Sequence, residues 1–284
     1  MQTISELDEL RSAVSTLRQG GETLALVPTM GALHEGHLTL VREAKRQASH
    51  VAVSIFVNPR QFGPNEDLDA YPRRLAADAA LLEAEGAAVL WAPTVPVMYP
   101  AGYATNISVS GVSEVLCGEA RPGHFDGVAT VVCKLFNQVR PDIALFGEKD
   151  WQQLAVIRRM ARDLDLVRPH VSRIIGVPTV READGLAMSS RNQYLSAQER
   201  QQAARLNVAM RTAIAAMEAG GPVAEALAGL RGEILEAGFL SVDYADLRDA
   251  ETLEDVARLE GRPARLLVAA RIGKARLIDN MPVG

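Results

Sequence analysis

The sequence predicts an α/β protein, a doubly wound parallel sheet followed by a smaller α+β C-terminal domain. Two changes of texture carry that prediction. Through the first 180 residues, apolar runs rich in β-branched side chains alternate with longer segments of helical period, the pattern of βαβ units. Beyond about residue 178, Ala-, Glu- and Arg-rich helical stretches come first and short strand-like runs follow. In order, strands are predicted over 23–28, 51–57, 87–91, 143–147 and 171–176. Helices are predicted over 36–48, 72–85, 124–138 and 151–164. In the second of these, Leu75, Ala79 and Leu82 share one face, with Arg74, Asp78 and Glu85 turned away from it. The C-terminal part reads as helices over 196–219 and 223–237, separated by the turn Gly220-Gly221-Pro222, then strands over 240–248, 265–270 and 275–279. A boundary within 178–185 divides the chain into domains 1–178 and 179–284.

Composition removes several classes of function. The 284-residue chain carries a net charge of −5 and no stripe of Lys or Arg, so a nucleic acid partner is not expected. Its only cysteines, Cys117 and Cys133, form no CxxC and stand at no metal-ligand spacing, which argues against a disulfide framework or structural zinc and suits a reducing cytoplasm. Glu6, Asp8 and Glu9 occupy the place where a secretory signal has its basic and apolar regions. No apolar run is long enough to span a membrane.

In doubly wound sheets, ligands bind beyond the carboxyl ends of the strands, and three polar segments fall there, 28–37, 58–71 and 147–153. The first contains His34-Glu35-Gly36-His37 at an expected helix start. Residues i and i+3 share a helix face, and the first helical N–H groups lack partners and carry partial positive charge, so two imidazoles there suit an anion such as a nucleotide phosphate. Gly36 would let that ligand approach the backbone. Lys149 follows a strand and precedes a helix, a compact positive charge placed to meet phosphate or a member of a solvated turn capped by Asp150. Ser189, Ser190 and Arg191 combine short donors with a planar fork, a set that fits phosphate oxygens or an interdomain loop with a serine cap. Asn58 and Gln61 flank a turn where amides could orient a polyhydroxy or carboxylate ligand. Asp78 could reach a magnesium ion carried by phosphates, or simply be solvated. His124 stands at another helix start, as a pocket or cap residue.

Taken together, PTMGALHEGHLTLV (28–41), SIFVNPRQF (54–62), RPGHFDGVATVV (121–132), FGEKDWQQL (146–154) and VPTVREADGLAMSSRNQYL (177–195) resemble the pantothenate synthetase family of pantoate–β-alanine ligases, within the HxGH nucleotidyltransferase superfamily. The resemblance covers nearly the whole chain. It implies a Rossmann-like nucleotidyltransferase domain with a C-terminal lid, and ATP-dependent ligation of pantoate and β-alanine through a pantoyl adenylate. It implies an ATP site along Met30, Gly31, Ala32, Leu33, His34, Glu35, Gly36 and His37, along Gly147, Glu148, Lys149 and Asp150, and at Val180, Met188, Ser189, Ser190 and Arg191. It also implies that Gln61 and Gln153 hold pantoate, with Asn58 nearby and Pro28, Met30, Phe56, Val131 and Val132 as an apolar wall, and that Gln61 serves β-alanine. His37 matches the family's proton donor. His34, Lys149 and Arg191 would join it in stabilising the charge that develops on the phosphates. Magnesium would rest on Asp78, where the family often has an acidic pair and this sequence has Ala77-Asp78. A homodimer is implied as well. Two other readings are a nucleotidyltransferase acting on a phosphate-bearing acceptor and a nucleotide-binding regulatory module. The first needs cations where this chain has Gln61, Gln153 and valines. The second would tolerate loss of His34, His37, Lys149 or Arg191, and all four are present.

Overall fold

A computed structural model describes residues 1–64 and 66–284. The chain begins with β1 (Gln2–Ile4), α1 (Leu7–Leu17), β2 (Leu24–Thr29), α2 (Glu35–Gln47), β3 (His50–Ile55), α3 (Leu75–Ala84) and β4 (Val89–Trp91). Two single turns, α4 (Val95–Met98) and α5 (Cys117–Ala120), lead to α6 (His124–Val139), β5 (Ile143–Gly147), α7 (Trp151–Asp163) and β6 (Ile174–Val177). The six strands form one parallel sheet in the order β1-β4-β3-β2-β5-β6. Both faces are covered, as parallel sheets require. Along β2 the side chains alternate between two cores, Leu24 and Leu26 into one and Ala25 and Val27 into the other.

The chain continues with α8 (Ala197–Ala203), α9 (Arg205–Glu218), α10 (Val223–Glu236), β7 (Ser241–Asp249), β8 (Ala264–Ile272) and β9 (Ala275–Val283), the last three forming an antiparallel sheet. β8 is buried on both faces. Leu266, Val268 and Ala270 enter a core with the helices α9 and α10, while Leu267 and Ala269 enter the first core beside residues of the parallel sheet.

The predicted doubly wound sheet and second α+β unit stand, with local corrections. β1 and α1 had no counterpart in the reading, because a three-residue strand shows too little alternation and its ladder to β4 is contributed from 87 residues away. The segment 171–173 is a 3-10 turn ahead of β6. The helix predicted over 196–219 is two helices that meet at Ala204. The face assigned to α3 holds at Leu82, which is fully buried, and at Ala79, which packs on the same core, but Leu75 is 45% exposed and Asp78 is 3% exposed. Asp78 shares the buried face because its carboxylate meets the N–H groups of a neighbouring loop.

Candidate active site

β2 has β3 on one side and β5 on the other, so the chain progresses outward in opposite directions from this pair. The loops leaving β2 and β5 therefore diverge and open a crevice at their carboxyl ends. A cavity of about 220 Å³ lies there. On one side it is lined by Met30, His34, Gly36, His37, Gly147, Lys149, Asp150, Val180, Met188, Ser189, Ser190 and Arg191. From the other side come Pro28, Phe56, Gln61, Val131, Val132 and Gln153. Residues that the sequence separates by more than 160 positions thus share one space. Gly31, Ala32, Leu33, Glu35 and Glu148 are outside this lining. Leu33 is buried in the core, Glu35 pairs with Arg42, and Glu148 pairs with Arg265 at 3.1 Å.

The two histidines build the start of α2. His34 is its N-cap, and its Nδ1 accepts from the Gly36 N–H at 3.2 Å. His37 Nδ1 accepts from the His34 N–H at 3.3 Å, so imidazoles perform both parts of a reciprocal cap. An Nδ1 that accepts leaves the proton on Nε2, which makes each neutral ring a donor through its far nitrogen. Burial lowers the pKa of His34 to about 4, and burial together with the neighbouring His34 lowers that of His37 to about 3, with Lys149 adding to both. Gly36 has a sharper reason than ligand space: a Cβ there would come within 2.9 Å of His34 Cε1.

Lys149 sits in the 3-10 turn Glu148–Asp150. Among the described residues it forms no ion pair, while its neighbour Glu148 does. Arg191 is held by Asp67, with Nε and Nη2 donating at 3.1 and 2.9 Å. Ser190 Oγ donates to the Ala32 carbonyl at 3.1 Å, and Ser189 Oγ accepts from the Arg191 N–H at 3.2 Å. The Met188 N–H donates to the Val180 carbonyl at 3.0 Å, which holds those two wall residues opposite one another.

Across the cavity, Gln61 ends a 3-10 turn, Pro59–Gln61, packed on α6. Its Oε1 accepts from Asn58 Nδ2 at 3.0 Å, and its Nε2 approaches Met30 Sδ at 3.1 Å. Asn58 is itself fully engaged, with Nδ2 also donating to the Gly127 carbonyl and Oδ1 accepting from Tyr99 OH at 2.9 Å. It is 1% exposed and outside the cavity lining, so the expectation that it contacts substrate is corrected: it orients Gln61. His124 Nδ1–H donates to the Gln61 carbonyl at 2.8 Å and its Nε2 accepts from Arg121, so it supports the same turn. Gln153 lines the cavity, whereas the adjacent Gln152 is buried and binds the carbonyls of Val112 and Val115.

Asp78 is corrected too. Its Oδ2 and Oδ1 accept from the N–H groups of Ala32 and Leu33 at 2.8 and 2.9 Å. These bonds hold a loop in which Gly31 and Ala32 both have positive φ, 84° and 52°. Its carboxylate lies outside the cavity lining, and a role as metal ligand does not fit this placement. Among the described residues, no group of three or more His, Cys, Asp or Glu side chains is placed to hold a metal ion.

Several lining residues were missed by the sequence reading. Val128 and Leu135 extend the face of Val131 and Val132 at i, i+3, i+4 and i+7, a periodicity that was available. Tyr71 and the segment Val177, Pro178 and Thr179 had no such signal, since a strand end and a loop bring them in. A larger cavity of about 790 Å³ adjoins the first between the two domains, sharing Lys149, Asp150, Gln153, Ser189 and Arg191 with it.

A family model described as pantoate-beta-alanine ligase matches residues 2–282. A protein of Novosphingobium aromaticivorans named pantothenate synthetase is 80% identical over all of this chain and 99% of its own length. One from Sphingopyxis alaskensis, named likewise, is 62% identical over the full length of both. The crystal structure of pantothenate synthetase from Thermus thermophilus superposes with a TM-score of 0.92 at 47% identity, covering 99% of each chain. That of the pantoate-beta-alanine ligase from Francisella tularensis, complexed with beta-gamma ATP and beta-alanine, gives 0.82 at 32% identity, covering 99% of this chain and 97% of that one.

Proposed function

Because the chain belongs to the pantoate–β-alanine ligase family, we propose that it joins pantoate to β-alanine, driven by ATP, through a pantoyl adenylate. The observation that carries this reading is the division of one cavity into a cationic, donor-rich half and an apolar half bearing two amides. A nucleotide triphosphate suits the first half. A small branched hydroxy acid suits the second, with its methyl groups against Val131, Val132 and Phe56 and its polar groups on Gln61 and Gln153.

In the first step a carboxylate oxygen of pantoate attacks the α-phosphorus of ATP and pyrophosphate leaves. Two anions that repel one another must be held in line, and the charge that grows on the leaving oxygens must be met. His34 and His37 donate neutral N–H groups to those oxygens, Lys149 supplies a compact cation, and Arg191, released from Asp67, adds a fork. The low pKa of His37 makes it a hydrogen-bond donor in the free site. Phosphate beside it raises its basicity toward a role in proton donation. In the second step the neutral amine of β-alanine attacks the acyl carbon, AMP leaves with the bonding pair, and the amine proton passes to the departing phosphate or to water. Gln61, near both, orients acid and amine. Magnesium arrives as part of the substrate, bound to the phosphates of ATP.

ATP–pyrophosphate exchange tests this order of events. Exchange should depend on pantoate and proceed without β-alanine, and mass spectrometry of a complete mixture should show pantothenate and AMP together. A strict requirement of exchange for β-alanine would overturn the adenylate route. We also propose, from the family, a homodimer in the cytoplasm. Sedimentation at twice the chain mass of 30.6 kDa tests the assembly.

A further inference from the structure

We propose, on the reading of Lys149 given above, that Asn280 of β9 is a positioning residue for that lysine, so that the second domain carries the strut of the phosphate site. The 3-10 turn Glu148–Asp150 carries Lys149, and the carbonyls of Glu148 and Lys149 face β9. Asn280 Nδ2 donates to the Glu148 carbonyl at 2.9 Å and to the Lys149 carbonyl at 2.8 Å, across more than 130 residues of sequence. One amide nitrogen thus uses both hydrogens on consecutive carbonyls. The orientation is fixed chemically, because a flipped amide would set its oxygen against both of them.

Asn280 is 4% exposed and is itself anchored. Its N–H donates to Asp279 Oδ1 at 2.7 Å, and Asp279 is gripped by both ends of the Arg181 guanidinium at 2.7 and 2.9 Å. A second hold comes from β8, where Arg265 lies 3.4 Å over the Trp151 ring and pairs with Glu148. The Lys149 ammonium, in no ion pair among the described residues, takes its position from this backbone. Asn280 acts through Lys149, not on the substrate.

Steady-state kinetics on Asn280→Ala, Lys149→Ala and the double variant test the assignment, each at a temperature below its measured melting point. Asn280→Ala should lower kcat about tenfold or more, the scale of a misplaced group, with the KM for pantoate changed less than about twofold. In the Lys149→Ala background the same substitution should cost less than about twofold, because the group it positions is gone. Equal fractional losses in both backgrounds would make Asn280 a structural residue and overturn the assignment, as would a wild-type kcat in Asn280→Ala. Wild-type turnover in Lys149→Ala would instead remove the reading of Lys149 as the phosphate-binding cation. Asn280→Ser, whose single hydroxyl cannot serve both carbonyls, should give the same pattern if the alanine variant does not fold.

Discussion

His34 and His37 hold two jobs in one pair of rings: the Nδ1 atoms cap α2, and in the proposed reaction the Nε2 atoms donate to phosphate. Both jobs need the neutral ring. With folded-state pKa values near 4 and 3 against about 6.5 in the unfolded chain, the unfolded state binds more protons as the pH falls below 6.5. Stability is therefore undiminished above that value and declines from it down toward 4 for His34 and toward 3 for His37, beginning ahead of most carboxylate titrations. His37→Gln keeps an acceptor for the His34 N–H and does not titrate. Its melting temperature should fall less between pH 7 and 5 than that of the parent chain, and an unchanged slope would contradict the assignment. The position of the histidines at a helix start and of Lys149 just beyond a strand was legible in sequence, because residue type and position speak together there. Asp78 was not, because its partners are backbone amides of Ala32 and Leu33, brought against α3 by folding.

At the scale of elements, the turn Pro59–Gln61 and the helix α6 make the apolar half of the cavity by close approach. Gly127 permits it: a Cβ there would collide with the Arg60 carbonyl and come within 2.7 Å of the Gln61 nitrogen. Helix propensity alone would favour Gly127→Ala by about 1 kcal/mol. The collision is with backbone that cannot swing aside, and overpacking of that kind costs about 1–3 kcal/mol, so the collision wins. Gly127→Ala should lower the melting temperature and raise the KM for pantoate about tenfold while leaving the KM for ATP within about twofold. A stabilised variant with normal pantoate kinetics would show the turn to be free of the helix. The valine face of α6 could be read from its period, whereas the contact across Gly127 could not. It depends on where another element lands.

At the scale of the molecule, the order β1-β4-β3-β2-β5-β6 opens a crevice at the β2 and β5 ends. The alternation of strand and helix made the doubly wound sheet legible, with polar segments at its strand ends, but not the order of the strands. The second α+β unit was visible as a change of texture at about residue 178, but its attachment was not. Tyr244, Leu253, Leu267 and Ala269 belong to the same apolar cluster as Phe136 and Phe146. Any closure of the second domain has to leave those contacts in place. Scanning calorimetry should accordingly show one cooperative transition for the whole chain, and two separated transitions would refute this coupling.

Burial of β8 on both faces also bears on how the chain is made. Synthesis runs from the N-terminus, and domains ordinarily close as they emerge from the ribosome. Here part of the parallel sheet's core waits for residues 244–269, which are made after every strand of that sheet. Until they emerge, the nascent protein lacks the apolar partners they bring to that core.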